Sequence, residues 1–416
     1  MDTDTPSRPT RLSSNRPFGW LVASYGVRYL AVSTFFVVLM AQAAYRFQAG
    51  SSQLALLFAS YSLAFIAATA LFGMVTDVWS PKAVLLVVQV VGIVAVVPAL
   101  VGGSMGWLYL SSVLLGISAA GIMPARGSLI ALLVEERDLV RANAALNTVA
   151  MLGGIVGPAV AGLLIRAVGV DVVYWAMAGC FALAGLLLIP VPDLRSSERA
   201  HSALIGDLVV GFRATWREPE LRTLLGLTCV AWFFFTVWST LEALFVKDVL
   251  HRGADAVTFL WAANGLGSFL GALALTRSRR ASGREALLMG ISLLIGGAGF
   301  LAFAGTSSVT VAVAGTAAMG VSVAWFLSLS QALIQRVARE NERGRVTGVQ
   351  SMVQEGTGLL CSLSLAAMSG LVTVRPFLLG AAALVTASGI AGLRAARRTV
   401  GHAPGRRATR PHPSNP

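Results

Sequence analysis

Apolar stretches about as long as a bilayer is thick recur from one end of this chain to the other. A helix rises about 1.5 Å per residue, so some 17–25 apolar residues cross the ~30 Å hydrocarbon layer. About twelve such stretches are present, near 18–41, 53–74, 83–102, 107–132, 142–166, 172–190, 221–246, 256–275, 286–305, 309–335, 346–371 and 376–393. Only 12% of residues are charged and the mean hydropathy is +0.74. Soluble domains carry about 25% charged residues, so lipid is the implied solvent. Backbone polar groups in lipid must be satisfied within each segment, which makes the segments helices. The expected fold is an all-α integral membrane protein with twelve transmembrane helices in two pseudo-symmetric six-helix bundles.

The arginines set the expected orientation. With both termini in the cytoplasm, 26 of the 32 Lys and Arg residues fall inside. Five fall outside (Arg46, Arg166, Lys247, Arg252, Arg375), and Arg28 lies within the first span. This is the positive-inside pattern, and it accounts for the net charge of +13. The arginines are scattered over many loops, which argues against nucleic acid as a partner. Arg394, Arg397, Arg398, Arg406, Arg407 and Arg410 are placed to touch anionic membrane lipid. The first span follows a polar, basic leader without a small-residue cleavage site and is read as retained.

The expected division is a cytoplasmic tail at 1–17, a first bundle at 18–190 and a cytoplasmic linker at 191–220. A second bundle at 221–393 and a basic, disordered cytoplasmic tail at 394–416 follow. Within the linker, Ser202 to Thr215 is expected to form an amphipathic surface helix. A shift of 204 residues superposes Leu129, Ile130, Glu136, Arg141, Val149 and Gly154 on Leu333, Ile334, Glu340, Arg345, Val353 and Gly358. Two related halves place a substrate site between them near the midplane.

The fifth span carries Gly153, Gly154, Gly157, Pro158 and Gly162. Glycines let a neighbouring helix approach closely, and the proline frees a carbonyl and permits a bend. Such a helix is expected to rock against a neighbour, the eighth span.

These features resemble the major facilitator superfamily over essentially the whole chain. The loop Gly73-Met-Val-Thr-Asp77-Val-Trp-Ser-Pro-Lys82 resembles its G-x-x-x-D-R-x-G-R-R signature at Gly73, Asp77 and Lys82, and departs from it at Val78, Ser80 and Pro81. The glycine run resembles the superfamily's antiporter motif at Gly153, Gly157, Pro158 and Gly162, with Ala161 in place of one glycine; that motif is associated with efflux members. Pro124-Ala125-Arg126, Leu133 to Glu136, Ala142-Asn143, Arg343 to Val346 and Glu242 to Leu250 resemble the macrolide-efflux and enterobactin-exporter group, a drug:proton antiporter type. The resemblance implies that Asp77, with Gly73 and Lys82, latches the halves, with Arg126 and the region of Gly344 and Arg345 as partners. A solvated loop aspartate is the bland alternative.

Arg28 and Glu355 each lie about ten residues into a span, roughly 15 Å deep. An ionised group at that depth costs ~2.5–3.5 kcal/mol even on lenient scales. Glu355 is therefore a candidate proton carrier and Arg28 a candidate substrate or counter-ion site; the alternative is a static Arg28–Glu355 pair. Glu242, late in the seventh span, is a second proton candidate or else a snorkelling carboxylate. Trp238 and Trp325, with Tyr25 and Gln331, are candidate cavity residues for a bulky amphipathic solute. Trp232 to Phe235 and Phe326 either join them or face lipid.

Cys180, Cys229 and Cys361 lie in apolar spans as packing residues, with no metal-ligand spacing. No phosphate-binding loop or catalytic constellation stands out, so neither a cofactor nor an enzyme activity is expected. The functional expectation is a monomeric secondary transporter exporting an amphipathic small molecule (a drug, macrolide-like or siderophore-like) in exchange for protons. An uptake permease for a nutrient or lipid-derived solute is the first alternative. A non-transporting membrane sensor is the second.

Overall fold

The computed structural model describes residues 15–135, 138–194, 204–277, 284–339, 342–368 and 373–400. It is built of helices: α1 (Arg16–Tyr45), α2 (Ser51–Val78), α3 (Pro81–Val101), α4 (Met105–Ala120), α5 (Ile122–Leu133), α6 (Leu139–Val168) and α7 (Val170–Leu188) in the first half. The linker helix α8 (Leu204–Arg217) precedes α9 (Pro219–Asp248), α10 (Ala254–Arg277), α11 (Glu285–Gly305), α12 (Val309–Val337), α13 (Arg343–Met368) and α14 (Val374–Val400).

The internal repeat is visible in the helix starts. Arg16 and Pro219, and Ser51 and Ala254, lie 203 residues apart. Pro81 and Glu285, Met105 and Val309, Leu139 and Arg343, and Val170 and Val374 lie 204 apart. The halves meet in exchanged pairs: α2 packs along α13, and α6 along α10. This is the multi-spanning all-α architecture expected from the sequence.

Local chemistry explains the boundaries. Asn15 caps α1 by accepting from the Phe18 N–H at 3.1 Å. Ser80 caps α3, accepting from Ala83, and Pro81 occupies its first turn, where its missing N–H costs nothing. Ser80 and Pro81, two of the three departures from the loop signature, are therefore the start signal of α3. The expected span at 107–132 is broken at Gly121, because Pro124 has no N–H to donate to the Ala120 carbonyl.

Three expectations shift. Eleven helices among the described residues are long and apolar enough to cross a membrane; α13, which carries Gln350, Gln354 and Glu355, is long enough but more polar. The linker helix is described from Leu204 to Arg217, two residues past the expected end at Thr215, while Ser202 and Ala203 lie outside the described residues. Finally, α14 runs to Val400, seven residues past the boundary expected at 393; residues 1–14 and 401–416 lie outside the described residues.

The two halves close on each other at one end. Tyr45 donates its hydroxyl to the Arg252 carbonyl at 2.6 Å. The Lys247 ammonium donates to the Ala44 carbonyl at 2.8 Å and to the Gln48 side chain. Nearly every residue of α1 from Thr34 to Ala44, and every residue of α9 from Thr236 to Val246, is buried. Burial alternates toward the opposite end, where α1 and α9 begin. The bundle is thus sealed at the end holding the α1–α2 and α9–α10 loops.

Candidate functional site

The site lies where the halves face each other, partly within that seal and partly next to it. Aromatic rings converge there from both. From the first half, Phe36 meets Phe58 edge-on at 5.4 Å, and Tyr61 stacks on Phe65 at 6.2 Å. From the second, Trp238 and Trp261 lie 4.8 Å apart, with Phe235 packed against both and Trp232 beside it. Gly358 of α13 brings the groups together: an added Cβ there would lie 3.4 Å from the Phe58 ring and 3.3 Å from Thr236 Oγ1. Aromatic walls of this kind suit ring-bearing, amphipathic solutes.

Two carboxylates sit at this level. Glu242 is 1% exposed, and neither carboxylate oxygen has a hydrogen-bond partner. It lies one turn beyond Trp238 on α9; the Trp261 indole N–H is near enough to be a weak donor to it but falls short of full hydrogen-bond geometry. Tyr45, in the seal, is within electrostatic reach of Glu242, Asp248 and Asp255. The Trp238 indole nitrogen is likewise buried without a partner. Glu355 of α13 is half-buried and within electrostatic reach of Tyr61 across the seam.

Arg28 does not reach this space as a free cation. It is 3% exposed and held inside the first half. One terminal nitrogen donates to Gln89 Oε1 at 2.8 Å, the other to the Ser118 carbonyl and hydroxyl at 2.7 and 2.9 Å. The guanidinium carbon lies 5.5 Å from the Phe181 ring centroid. Arg28 thus ties α1 to α3, α4 and α7, and the alternative of an Arg28–Glu355 pair is overturned.

Several other candidates have local partners. Tyr25 accepts from Arg126 at 2.9 Å, and the guanidinium carbon lies 5.0 Å from the Tyr25 ring centroid. The Trp325 indole donates to the Gly271 carbonyl at 2.8 Å, fastening α12 to α10. Gln331 donates to Gln350 at 3.5 Å within the second half. Lys82, expected in the latch, instead donates to the Ile189 and Val191 carbonyls at 2.8 and 2.6 Å and closes the end of α7. Arg345 lies at the start of α13, where its carbonyl packs against Gly211 of α8. Gly73 and Asp77 fall in the last turns of α2, and their surroundings lie outside the described residues.

The glycine run serves two neighbours rather than one. Gly153 and Gly157 face α1: an added Cβ would lie 2.9 Å from the Leu30 nitrogen or 2.7 Å from its carbonyl oxygen. Gly162 faces α10 instead, with Thr258 Oγ1 at 2.5 Å from the same hypothetical atom. Pro158 leaves the Gly154 carbonyl without its helical donor. Gly265 of α10 packs on that carbonyl, 3.0 Å from where its own Cβ would be. The seam between the halves therefore runs over backbone on both sides at this point.

Among the described residues, no cluster of His, Cys, Asp and Glu could hold a metal ion. Sequence reasoning missed Tyr61, Phe36, Phe58 and Trp261. Each is an aromatic residue in an apolar span, and only the crossing of α1, α2, α9, α10 and α13 gathers them.

Two related helical halves, closed on each other at one end and meeting along α2–α13 and α6–α10, bring these aromatic rings and Glu242 together. The Major Facilitator Superfamily model matches residues 21–362, and the chain belongs to that family. YfiS of Bacillus subtilis, an uncharacterized MFS-type transporter, is 23% identical over 357 residues, 83% of this chain and 84% of that protein. The multidrug efflux pump Tap of Mycolicibacterium fortuitum is 26% identical over 224 residues, and the match spans about half of each chain (53% and 54%). In fold, the chain is similar to the nucleoside transporter NupG (TM-score 0.73, 13% identity, 91% of this chain and 98% of that one). It is also similar to a POT family transporter in complex with 5-aminolevulinic acid (TM-score 0.72, 11% identity, 92% and 96%). The protein is a multi-pass membrane protein and a secondary transporter of small molecules.

Proposed function

We propose that this transporter moves an amphipathic, ring-bearing solute by alternating access, coupled to protons through Glu242. The observation that carries this reading is the Glu242 carboxylate, buried against two indoles with both oxygens unpartnered. An unpaired charge sealed there would be costly; a proton on the carboxyl removes that cost. In the open form the same group would meet water and exchange its proton. Glu355, across the seam from Tyr61, would sense the solute or relay the proton. The arginine distribution supports cytoplasmic termini, so the sealed end would face outward and the cavity inward.

Two directions of transport fit this cavity. The antiporter-like run at Gly153, Gly157, Pro158 and Gly162 and the partial similarity to a multidrug efflux pump favour export in exchange for protons. The whole-length likeness in fold to nucleoside and POT family transporters, which covers more of the chain, favours uptake of a nutrient. Proton fluxes in vesicles separate them. In inverted vesicles with an acid lumen, a macrolide, dye or siderophore that dissipates the gradient only with this protein present would establish export. Accumulation of labelled nucleoside or dipeptide in right-side-out vesicles, driven by an inward proton gradient, would establish uptake. Folded protein that moves neither protons nor solute would overturn the transport mechanism and leave a sensor.

A further inference from the structure

Glu355 carries a charge that the protein itself does not answer. It lies three residues before Gly358 on α13, so the two share a face one turn apart. An added Cβ at Gly358 would lie 3.4 Å from the Phe58 ring and 3.9 Å from Trp232 Cδ1. That face of α13 therefore looks at aromatic rings of both halves. Tyr61, one turn from Phe58 on α2, is within electrostatic reach of Glu355. Its ring lies 5.4 Å from Phe36, while Trp232 lies 5.8 Å from Phe235, and Phe235 6.1 Å from Trp261. Unlike Glu242, Glu355 is only half-buried, and so are Phe36, Tyr61, Trp232, Phe235 and Trp261. These side chains keep free surface with the seal closed.

Among the described residues, Glu355 has neither a hydrogen bond nor an ion pair. Arg28, the cation that also acts on Tyr61, gives its terminal nitrogens to Gln89 and Ser118. Arg126 is held by Tyr25, and Lys82 and Lys247 by backbone carbonyls. Arg345, on the same helix, lies ten residues from Glu355, or ~15 Å at helical rise. A carboxylate in a ring-lined space is costly once water leaves, unless a positive charge neutralises it. The faces of aromatic rings attract cations as well. A positive charge brought by the solute meets both demands, whereas an anion would face a like charge and the negative ring faces.

We infer that the solute is an organic cation, its onium centre or protonated amine at Glu355 and its rings against Tyr61, Trp232 and Phe235. This rests on the reading of the space as the solute site and leaves the coupling proton to Glu242. Tetraphenylphosphonium and tetraphenylborate test it, because they share their phenyl rings and differ in sign. Equilibrium dialysis of each radiolabelled ion against the full chain in uncharged detergent, with protein-free micelles subtracted, reads binding without a proton gradient. The wild type is expected to bind the phosphonium saturably and roughly tenfold or more tighter than the borate. Glu355→Gln should lose about tenfold in phosphonium affinity, and Glu355→Asp should restore most of it. Equal affinity for the two ions, saturable binding of neither, or unchanged phosphonium affinity in folded Glu355→Gln would overturn the inference. If Glu355→Gln does not fold, the wild-type comparison of the two ions decides alone. Preferential cation binding without proton-linked flux would defeat the coupling mechanism and leave this inference standing. Proton-linked flux of solutes without any preference for the phosphonium would do the reverse.

Discussion

The first helix of each half buries one charged residue, and the two are treated in opposite ways. On α1, Arg28 has its terminal nitrogens bonded to Gln89 and Ser118 on two other helices of its own half. On α9, Glu242 is buried as deeply, yet neither oxygen is bonded. A buried polar group that is fully paired rigidifies its surroundings, whereas one left unpaired is costly and changes state when the site opens. The contrast separates a fixed frame in the first half from a responsive group in the second.

Replacing Glu242 with Gln is the sharpest way to break that comparison. We expect proton-driven accumulation to be abolished while unenergised exchange of solute continues, read by paired gradient-driven and counterflow assays. Unchanged accumulation would remove Glu242 from coupling. Arg28→Met should act on the frame instead. Losing hydrogen bonds to a charged group and orphaning the Gln89 and Ser118 acceptors should cost about 3 kcal/mol of stability, seen as a lower melting temperature in detergent. A melting temperature equal to wild type would mean that Arg28 is not a clamp.

Smaller changes probe the seam and the seal. Gly265→Val forces a side chain toward Ile155 and the Gly154 carbonyl, and overpacking of this kind costs about 1–3 kcal/mol. Turnover should fall roughly tenfold, the rate equivalent of about 1.4 kcal/mol; unaltered turnover would show that α6 and α10 part elsewhere. Tyr45→Phe removes the bond to the Arg252 carbonyl, worth about 1 kcal/mol. Distance measurements between spin labels on the α1–α2 and α9–α10 loops should show the opened population rising severalfold. Trp325→Phe should lower stability by about 1 kcal/mol through the lost bond to Gly271 and leave solute affinity unchanged. A changed affinity would return Trp325 to the cavity.

Helix number, the two-half division and the seam glycines were legible in the sequence because each is local or periodic. A bilayer demands about 20 apolar residues per crossing, and a repeat of 203 or 204 residues carries the helix starts of one half onto the other. Pro124 and Ser80-Pro81 were visible too, although their effects, a break at Gly121 and a cap on α3, needed the backbone to be read. What the sequence could not decide was which way a buried side chain turns. Arg28 and Glu355 sit at similar depths in their spans, yet Arg28 points into its own half and Glu355 toward the seam, because direction depends on which helices lie alongside. The same holds for Lys82 and Trp325, whose partners are backbone carbonyls that no residue pattern encodes. Tertiary structure alone gathered Phe58, Tyr61, Trp238 and Trp261 from three helices, and it alone left the Glu242 oxygens without a hydrogen bond. Segment length and hydropathy are set by the solvent each residue meets, whereas a site is set by what distant segments place beside it.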